Sequence, residues 1–328
     1  MAIELTEPPG QRPGTVAIIG AGGRLGKAIL RKLGRTADVI GFTHEELNLA
    51  DTEGLRKTLR ALEFDLMINA AAQTNVDRCE SDSTTAFAVN AQAPGVLAEI
   101  CREKGARFIH ISTDYVFDGE KREPYREEDE ARPLSVYGES KLEGEQRVLA
   151  VNPDHLVARL SWVFGPDRPS FVDWIVEQAR QHEQVEAIAD KISTPTYTLD
   201  IATMLQPLLA SSVGGGVWHL ANHGGCSWRE FGQHALDCCQ AEGMALRARR
   251  VGAVSLRDMK SFIARRPIYT VLATEKYERL TGQVPRDWRE AVADYVQTHI
   301  ARGARLISAS DGLDRPSGGG GGRLTENA

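Results

Sequence analysis

Tyr137 and Lys141 stand four residues apart, and a hydroxyl-bearing run, Ser112-Thr113-Asp114-Tyr115, lies upstream of them. These residue types can move a proton. On a helix, positions i and i+4 share a face, so the phenol and the amine would point at one spot. An ammonium beside a phenol favours the phenolate and lowers its pKa from about 10. That makes tyrosine a usable proton donor and acceptor near neutral pH. Thr113 could hydrogen-bond the same substrate oxygen. Alone, Y-x-x-x-K is an ordinary pattern on helix surfaces. It gains weight from a second motif far upstream.

That motif begins with the apolar run Val16-Ala-Ile-Ile19, which feeds Gly20-Ala-Gly22-Gly23-Arg24-Leu25-Gly26. Leu25, Ile29, Leu30 and Leu33 then recur with helical spacing. The pattern reads as strand, tight turn, helix. Glycines there let the backbone turn sharply and approach a pyrophosphate, whose charge sits at the helix N-terminus. The spacing is G-x-x-G-x-x-G, not G-x-G-x-x-G, with Gly22 as an extra glycine. A glycine-rich turn without a ligand has the same composition. Its place at the opening of a βαβ pattern is what favours a dinucleotide.

The elements that must position these residues follow from apolar patterning. Strands are expected at Val16–Ile19, Val39–Phe42, Leu66–Asn69, Phe108–Ile111 and Leu156–Leu160, with helices around 24–34, 52–62, 84–104 and 136–150. Such alternation implies an α/β fold, a Rossmann-type doubly wound parallel sheet. Right-handed crossovers put all strand C-termini along one edge, where ligands bind in open sheets. The glycine turn, Asn69-Ala-Ala-Ala72, Ser112-Thr113-Asp114 and Ser161-Trp162 each follow a strand and converge there. After about residue 160 the alternation loosens, which predicts a smaller C-terminal substrate-binding lobe. The expected organisation is a loose lead-in over 1–14, a dinucleotide-binding domain over 15–165, and a lobe over 166–303 interleaved with it. The polar, glycine-rich segment 304–328 cannot bury enough surface to order itself.

Bulk properties narrow the partners. The chain has 328 residues, 42% apolar and 26% charged, with net charge -6 and a pI near 5.8. The balance argues against nucleic acid or an anionic membrane surface. No apolar run approaches the ~20 residues that span a bilayer, and the acidic, proline-bearing start lacks a secretory h-region. Cys79, Cys101, Cys226, Cys238 and Cys239 have no metal-ligand spacing and suit reduced thiols in the cytoplasm.

The residues resemble the extended short-chain dehydrogenase/reductase superfamily. Within it they resemble the dTDP-4-dehydrorhamnose reductase family, over about residues 15–300. The resemblance rests on Asn69-Ala-Ala-Ala-Gln-Thr-Asn-Val-Asp77, Ser112-Thr-Asp-Tyr-Val-Phe117, Val136-Tyr-Gly-Glu-Ser-Lys141 and Arg159-Leu-Ser-Trp162-Val-Phe-Gly165. It continues through Pro195-Thr-Tyr197, Ser227-Trp-Arg-Glu-Phe231, Ala264-Arg-Arg-Pro267 and Asp287-Trp288. It implies an NAD(P)H-dependent reductase of the C4 ketone of a nucleotide-linked 4-keto-6-deoxyhexose. Thr113, Tyr137 and Lys141 carry over as the catalytic set, with Tyr137 as proton donor and Lys141 also holding the nicotinamide ribose. Gly20, Gly23, Arg24, Leu25 and Gly26 would wrap the pyrophosphate, with Ala71, Ala72 and Gln73 along the cofactor. Asn48 and Leu49 match positions near the adenine, although the family usually has Asp at the first. Thr74, Asp114, Tyr115 and Trp162 match substrate-side positions. Some members hold a metal at a dimer contact through a Glu where this chain has Ala28, so no metal is carried over and a homodimer stays open.

Several of these residues also have plainer readings. Trp162 could be a core aromatic, Asp114 a turn or cap residue, and His219 a satisfied buried histidine. Arg265 and Arg266 could be solvated, yet guanidinium forks beside a fixed proline suit a nucleotide diphosphate. Residues 120–131 read as an exposed charged loop. Two other functions share the motifs: a sugar-nucleotide epimerase, and an NADP-binding regulatory subunit resembling the beta subunit of methionine adenosyltransferase. For cofactor choice, the second strand ends Ile40-Gly-Phe-Thr43-His44 without an acid that would bond a 2′-hydroxyl. Arg24, Thr43 and His44 could instead meet a 2′-phosphate, so NADPH is expected to serve at least as well as NADH.

Overall fold

The computed structural model describes residues 14–210 and 213–302. The expected lead-in, apart from Gly14, and the expected tail over 304–328 lie outside the described residues. Six parallel strands form the main sheet in the spatial order Gly216–His219, Leu156–Leu160, Arg107–Thr113, Leu66–Asn69, Thr15–Ile19, Asp38–Phe42. The chain reverses its direction of winding at Thr15–Ile19, which pairs with both Asp38–Phe42 and Leu66–Asn69. A crevice for ligands opens at such a switch point.

Both sheet faces are covered, which is why these strands read as continuous apolar runs rather than alternating ones. Val16, Ile18, Leu66 and Ile68 face the helices Arg24–Leu33 and Thr198–Leu208, through Leu25, Ile29, Ile201 and Leu205. Their sequence neighbours Ala17, Ile19 and Met67 face the other way. There they meet Leu55 of helix Thr52–Arg60, Leu97 of helix Ala93–Lys104 and Val148 of helix Val136–Val151.

The later part of the chain builds a separate aromatic core from Phe164, Phe171, Trp228, Phe231, Trp288 and Tyr295. Short strand pairs frame it: Val163–Phe164 with Thr196–Tyr197, Val185–Ile188 with Val251–Val254, and Ile192–Ser193 with Cys226–Ser227. The chain does not stay in this lobe. Helix Thr198–Leu208 returns to the main sheet, and Gly216–His219 adds its sixth strand beside Leu156–Leu160.

The helix expected over 84–104 is interrupted. Ser83–Phe87 is α-helical, Ala88–Gln92 is one π turn, and the α-helix resumes at Ala93. π turns recur at functional sites because the wider turn re-aims a side chain. Here buried Asn90 receives Gln73 N–H at 2.8 Å and donates to Gln73 O at 3.0 Å and to Ser140 Oγ at 3.1 Å.

Helix Val136–Val151 lies unusually close to its neighbours. A Cβ on Gly138 would collide with the Tyr115 carbonyl oxygen, and one on Gly144 with the Asn90 carbonyl oxygen. Both obstacles are backbone and cannot swing aside. Gly144→Ala is therefore expected to cost roughly 1–3 kcal/mol of stability, the usual range for overpacking. Urea unfolding checks this, and a neutral result would show that the helix can shift freely.

Candidate active site

Strand Arg107–Thr113 runs three residues past Leu66–Asn69, ends level with Leu156–Leu160, and delivers Thr113 to the sheet edge, buried at 6% exposure. Its hydroxyl accepts Tyr115 N–H at 3.2 Å and donates to Asp114 Oδ1 at 3.2 Å. The helix Val136–Val151 is capped by Ser135 Oγ, which accepts Gly138 N–H at 3.3 Å. Tyr137 is nine-tenths buried, in a cluster with Val76, Cys79, Ala86 and Ala264, and Tyr115 packs edge-on to it at 5.6 Å. One turn later the Lys141 amine donates to Ile111 O at 2.6 Å and lies 3.3 Å from His110 Nε2. Burial pushes the Lys141 ammonium down to about 8, against the opposing pull of Glu145. Thr113, Tyr115, Tyr137 and Lys141 thus gather around the end of one strand.

The turn after the first strand has the form a pyrophosphate needs. Gly20 sits at φ 83°, where side chains are strained, and a Cβ there would meet the amide of Ala71 at 2.8 Å. A Cβ on Gly26 would collide with the Gly20 carbonyl. Helix Arg24–Leu33 starts at Gly23 with no side-chain cap and no acid in its first turn. Its leading amides therefore remain available for an anion. Ala71, Ala72 and Gln73 border the same crevice, with Ala71 N–H held by Asn69 Oδ1 at 3.1 Å and Gln73 held by Asn90. Thr74, just beyond, is exposed.

Two arginines are placed differently from the sequence reading. Arg24 donates to Val163 O at 2.8 Å, to Arg168 O at 3.3 Å and to Pro169 O, and Arg168 donates back to Gly22 O at 3.2 Å. Its guanidinium clamps the glycine turn to the 163–169 loop, so the expected approach of that fork to a 2′-phosphate is corrected. Only its backbone stays with the glycine turn. Arg266 donates to Asp77 at 2.9 and 3.2 Å and lies 3.6 Å over the Phe262 ring, with its side chain 1% exposed. The expected role on a substrate diphosphate is corrected to a clamp holding segment 262–266 against helix Val76–Ser81. Burial pushes the Asp77 carboxyl up, but Arg266 and the amides of Ala264 and Ile263 outweigh it, and it ends below its usual range.

Asp114 also turns inward. Ser161 Oγ donates to it at 3.0 Å and Thr270 Oγ1 at 2.5 Å, and burial raises its carboxyl despite nearby Lys191 and these hydroxyls. It joins the sheet edge to the lobe, so the substrate contact expected of its carboxylate is corrected. Trp162 stands between the two regions. Its φ of 39° is the sole left-handed non-glycine backbone among the described residues. Its ring stacks on Trp228 at 5.3 Å and meets Phe231 at 4.7 Å, yet it stays partly exposed. Strain of this kind persists where surrounding structure over-determines a position, often at a ligand site.

At the tip of the second strand, Thr43 N–H and Oγ1 both donate to Glu46 Oε2, at 2.8 and 2.9 Å. Those bonds hold the Glu46 carboxyl below its usual range. Sequence reasoning found no acid there because it looked along the strand. The T-x-x-E spacing, a reciprocal capping signature, could have revealed it. His44 and Asn48 are exposed beside it, while the Leu49 side chain packs into the apolar core below. Asn90 was also missed. Among the described residues no cluster of three or more His, Cys, Asp or Glu is placed for a metal, and Ala28 is core. No described helix is long and apolar enough to cross a membrane.

Residues 14–300 match the family model described as "RmlD substrate binding domain". A dTDP-4-dehydrorhamnose reductase of Mycobacterium tuberculosis is 38% identical over 85% of this chain and 91% of that protein. A probable dTDP-4,6-dihydroxy-2-methyloxan-3-one 4-ketoreductase of Streptomyces antibioticus is 34% identical over 84% and 92%. Among solved structures, a Bacillus anthracis dTDP-4-dehydrorhamnose reductase in complex with NADP superposes with TM-score 0.80 at 29% identity, covering 87% and 99%.

The Arg24 geometry yields a test. If the fork clamps the 163–169 loop, Arg24→Ala is expected to weaken NADH and NADPH by similar factors in calorimetric titrations. A loss confined to NADPH would restore the 2′-phosphate contact.

Proposed function

The chain belongs to the dTDP-4-dehydrorhamnose reductase family, and on that footing we propose that it reduces the C4 ketone of a nucleotide-linked 4-keto-6-deoxyhexose with NAD(P)H. The observation that carries the proposal is the buried Lys141 amine one turn from Tyr137, at the sheet edge that also presents Thr113 and the uncapped helix Arg24–Leu33.

A nicotinamide cofactor, when bound, would supply the hydride. Gly20, Gly23, Leu25, Gly26 and the backbone of Arg24 would hold the pyrophosphate, and Ala71, Ala72 and Gln73 would line the cofactor. Both dinucleotides suit the second strand tip. Glu46, which already takes both Thr43 donors, can accept from a 2′-hydroxyl, whereas exposed His44 offers a donor to a 2′-phosphate.

Negative charge builds on the carbonyl oxygen as hydride reaches carbon, and Tyr137 meets it with a proton. The Lys141 ammonium favours the resulting phenolate and can reach a ribose hydroxyl. Thr113 orients the oxygen. Its single hydrogen is on Asp114, but rotation about Cβ–Oγ frees it, and Asp114 keeps Ser161 and Thr270. Thr74, Tyr115 and the partly exposed edge of Trp162 are the substrate-side surface. An acceptor of this kind, drawing on a reduced dinucleotide pool, fits the cytoplasm.

Tyr137→Phe keeps the ring and removes the proton. Turnover is expected to fall about 10²–10⁴-fold while NADPH still binds. NADPH oxidation with dTDP-4-dehydrorhamnose measures the first and calorimetry the second. Near-normal turnover would refute the assignment. In the wild type the ammonium is lost as pH rises through about 8, so the rate is expected to decline on that alkaline side. The limb belongs to the Tyr137–Lys141 pair rather than to either residue.

A further inference from the structure

Behind Lys141 lies a chain of buried groups with no part in the steps above. Asn69, at the end of its strand, and His110, paired with it in the middle of the next, are fully buried, and Lys141 is 2% exposed. The Asn69 amide is oriented by its neighbour: Oδ1 accepts Ala71 N–H at 3.1 Å, which leaves Nδ2 as the donor. That donor faces His110 Nδ1 at 3.2 Å. Nδ1 must therefore be the unprotonated nitrogen. A neutral imidazole carries its one proton on the other nitrogen. His110 is kept neutral by burial and by the Lys141 charge, which hold it well below the usual histidine range. Its Nε2–H consequently points at the Lys141 nitrogen, 3.3 Å away.

A hydrogen directed at an ammonium is unfavourable, whereas one directed at a neutral amine forms a hydrogen bond. The neutral amine can still donate to Ile111 O at 2.6 Å. The other charged group acting on this amine is Glu145, on its own helix, with Tyr137 one turn earlier on that helix. Glu145 is tied to Arg159 at 2.7 Å and to Ser112 Oγ at 2.5 Å, from the two neighbouring strands. The carboxylate favours the ammonium, and the imidazole favours the amine.

We propose that Asn69 and His110 are positioning residues that make Lys141 a proton donor to Tyr137 by stabilising the neutral amine left behind. The proposal rests on the reductase reading. In the step, hydride reaches the substrate carbon, the Tyr137 proton goes to the carbonyl oxygen, and a Lys141 proton goes to the phenolate. Lys141 then accepts the Nε2–H bond of His110 and later regains its proton from water. The Asn69 amide chooses the imidazole tautomer, and the tautomer chooses the lysine state.

The test has two arms. In wild type labelled with ¹⁵N-histidine, His110, assigned through its backbone, is expected to show a protonated Nε2 and a bare Nδ1 at pH 7. Asn69→Asp keeps the acceptor for Ala71 but also accepts from Nδ1–H. It should flip the tautomer, turn a lone pair toward Lys141, and move the alkaline limb of kcat/KM upward by roughly one pH unit. A purely structural role for Asn69 would change amplitude and leave the limb in place. A wild type that turns over but carries Nδ1–H overturns the relay alone, as does a folded Asn69→Asp with an unmoved limb. A wild type that oxidises no NADPH with any keto sugar overturns the reductase reading, and the relay with it.

Discussion

An amine held out of water sets the terms for this site. Taking a charged group into a protein interior costs several kcal/mol unless close partners replace its solvation. Lys141 has few: the Ile111 carbonyl and the field of Glu145. For the amine to reach them, helix Val136–Val151 must almost touch strand Arg107–Thr113. Gly138 and Gly144 let that helix close on the Tyr115 and Asn90 carbonyl oxygens beside the strand. Glu145 must in turn be neutralised, and Arg159, itself buried, does so with bonds of 2.7–3.2 Å. Removing either member would strand a charge in the interior, which is far more costly than the pair itself. The sheet edge is thus a set of coupled requirements, and the softened lysine is their chemical product.

Polar ties fasten the lobe to that edge, together with small apolar clusters that join Tyr137 to Ala264 and Phe117 to Leu272. Arg24 and Arg168 exchange carbonyl contacts between the glycine turn and the 163–169 loop. Asp114 gathers hydroxyls from Ser161 and Thr270, and Asp77 gathers Arg266 with two amides of segment 262–266. Each tie joins a cofactor-side element to a lobe element across more than a hundred residues of sequence or bridges adjacent strand ends. Residues bearing charge near a crevice invite a ligand role, and here Arg24, Arg168, Asp114, Asp77 and Arg266 are spent on holding its walls in register. What remains facing the crevice is largely backbone amide, hydroxyl and aromatic ring, suited to a sugar and a dinucleotide.

The sheet was legible because its signals are local. Apolar runs such as Val16–Ile19 and Leu66–Asn69 are buried on both faces, and glycine and hydroxyl clusters punctuate their ends. The Tyr137 and Lys141 pairing was legible because helix spacing alone puts them on one face. What escaped depends on partners far along the chain. Nothing near Arg24 or Arg266 in sequence announces that Pro169 or Asp77 will occupy its fork. The strand Gly216–His219 looks no different from a lobe segment until the sheet edge beside Leu156–Leu160 is known to be unfilled. The π turn at Ala88–Gln92 leaves no trace in apolar periodicity, and its purpose, Asn90 between Gln73 and Ser140, appears only in three dimensions. Glu46 was the exception, since its spacing from Thr43 carried a readable signal.

The reaction proposed for this edge is delivery of hydride from a nicotinamide to C4 of a nucleotide-linked keto sugar. Incubating the protein with dTDP-4-dehydrorhamnose and NADPH deuterated at the reactive ring carbon, then locating the label by NMR, tests it directly. One deuterium is expected at C4 of the sugar ring, in a single configuration. Label absent from C4, or epimerised product formed without cofactor oxidation, would contradict it.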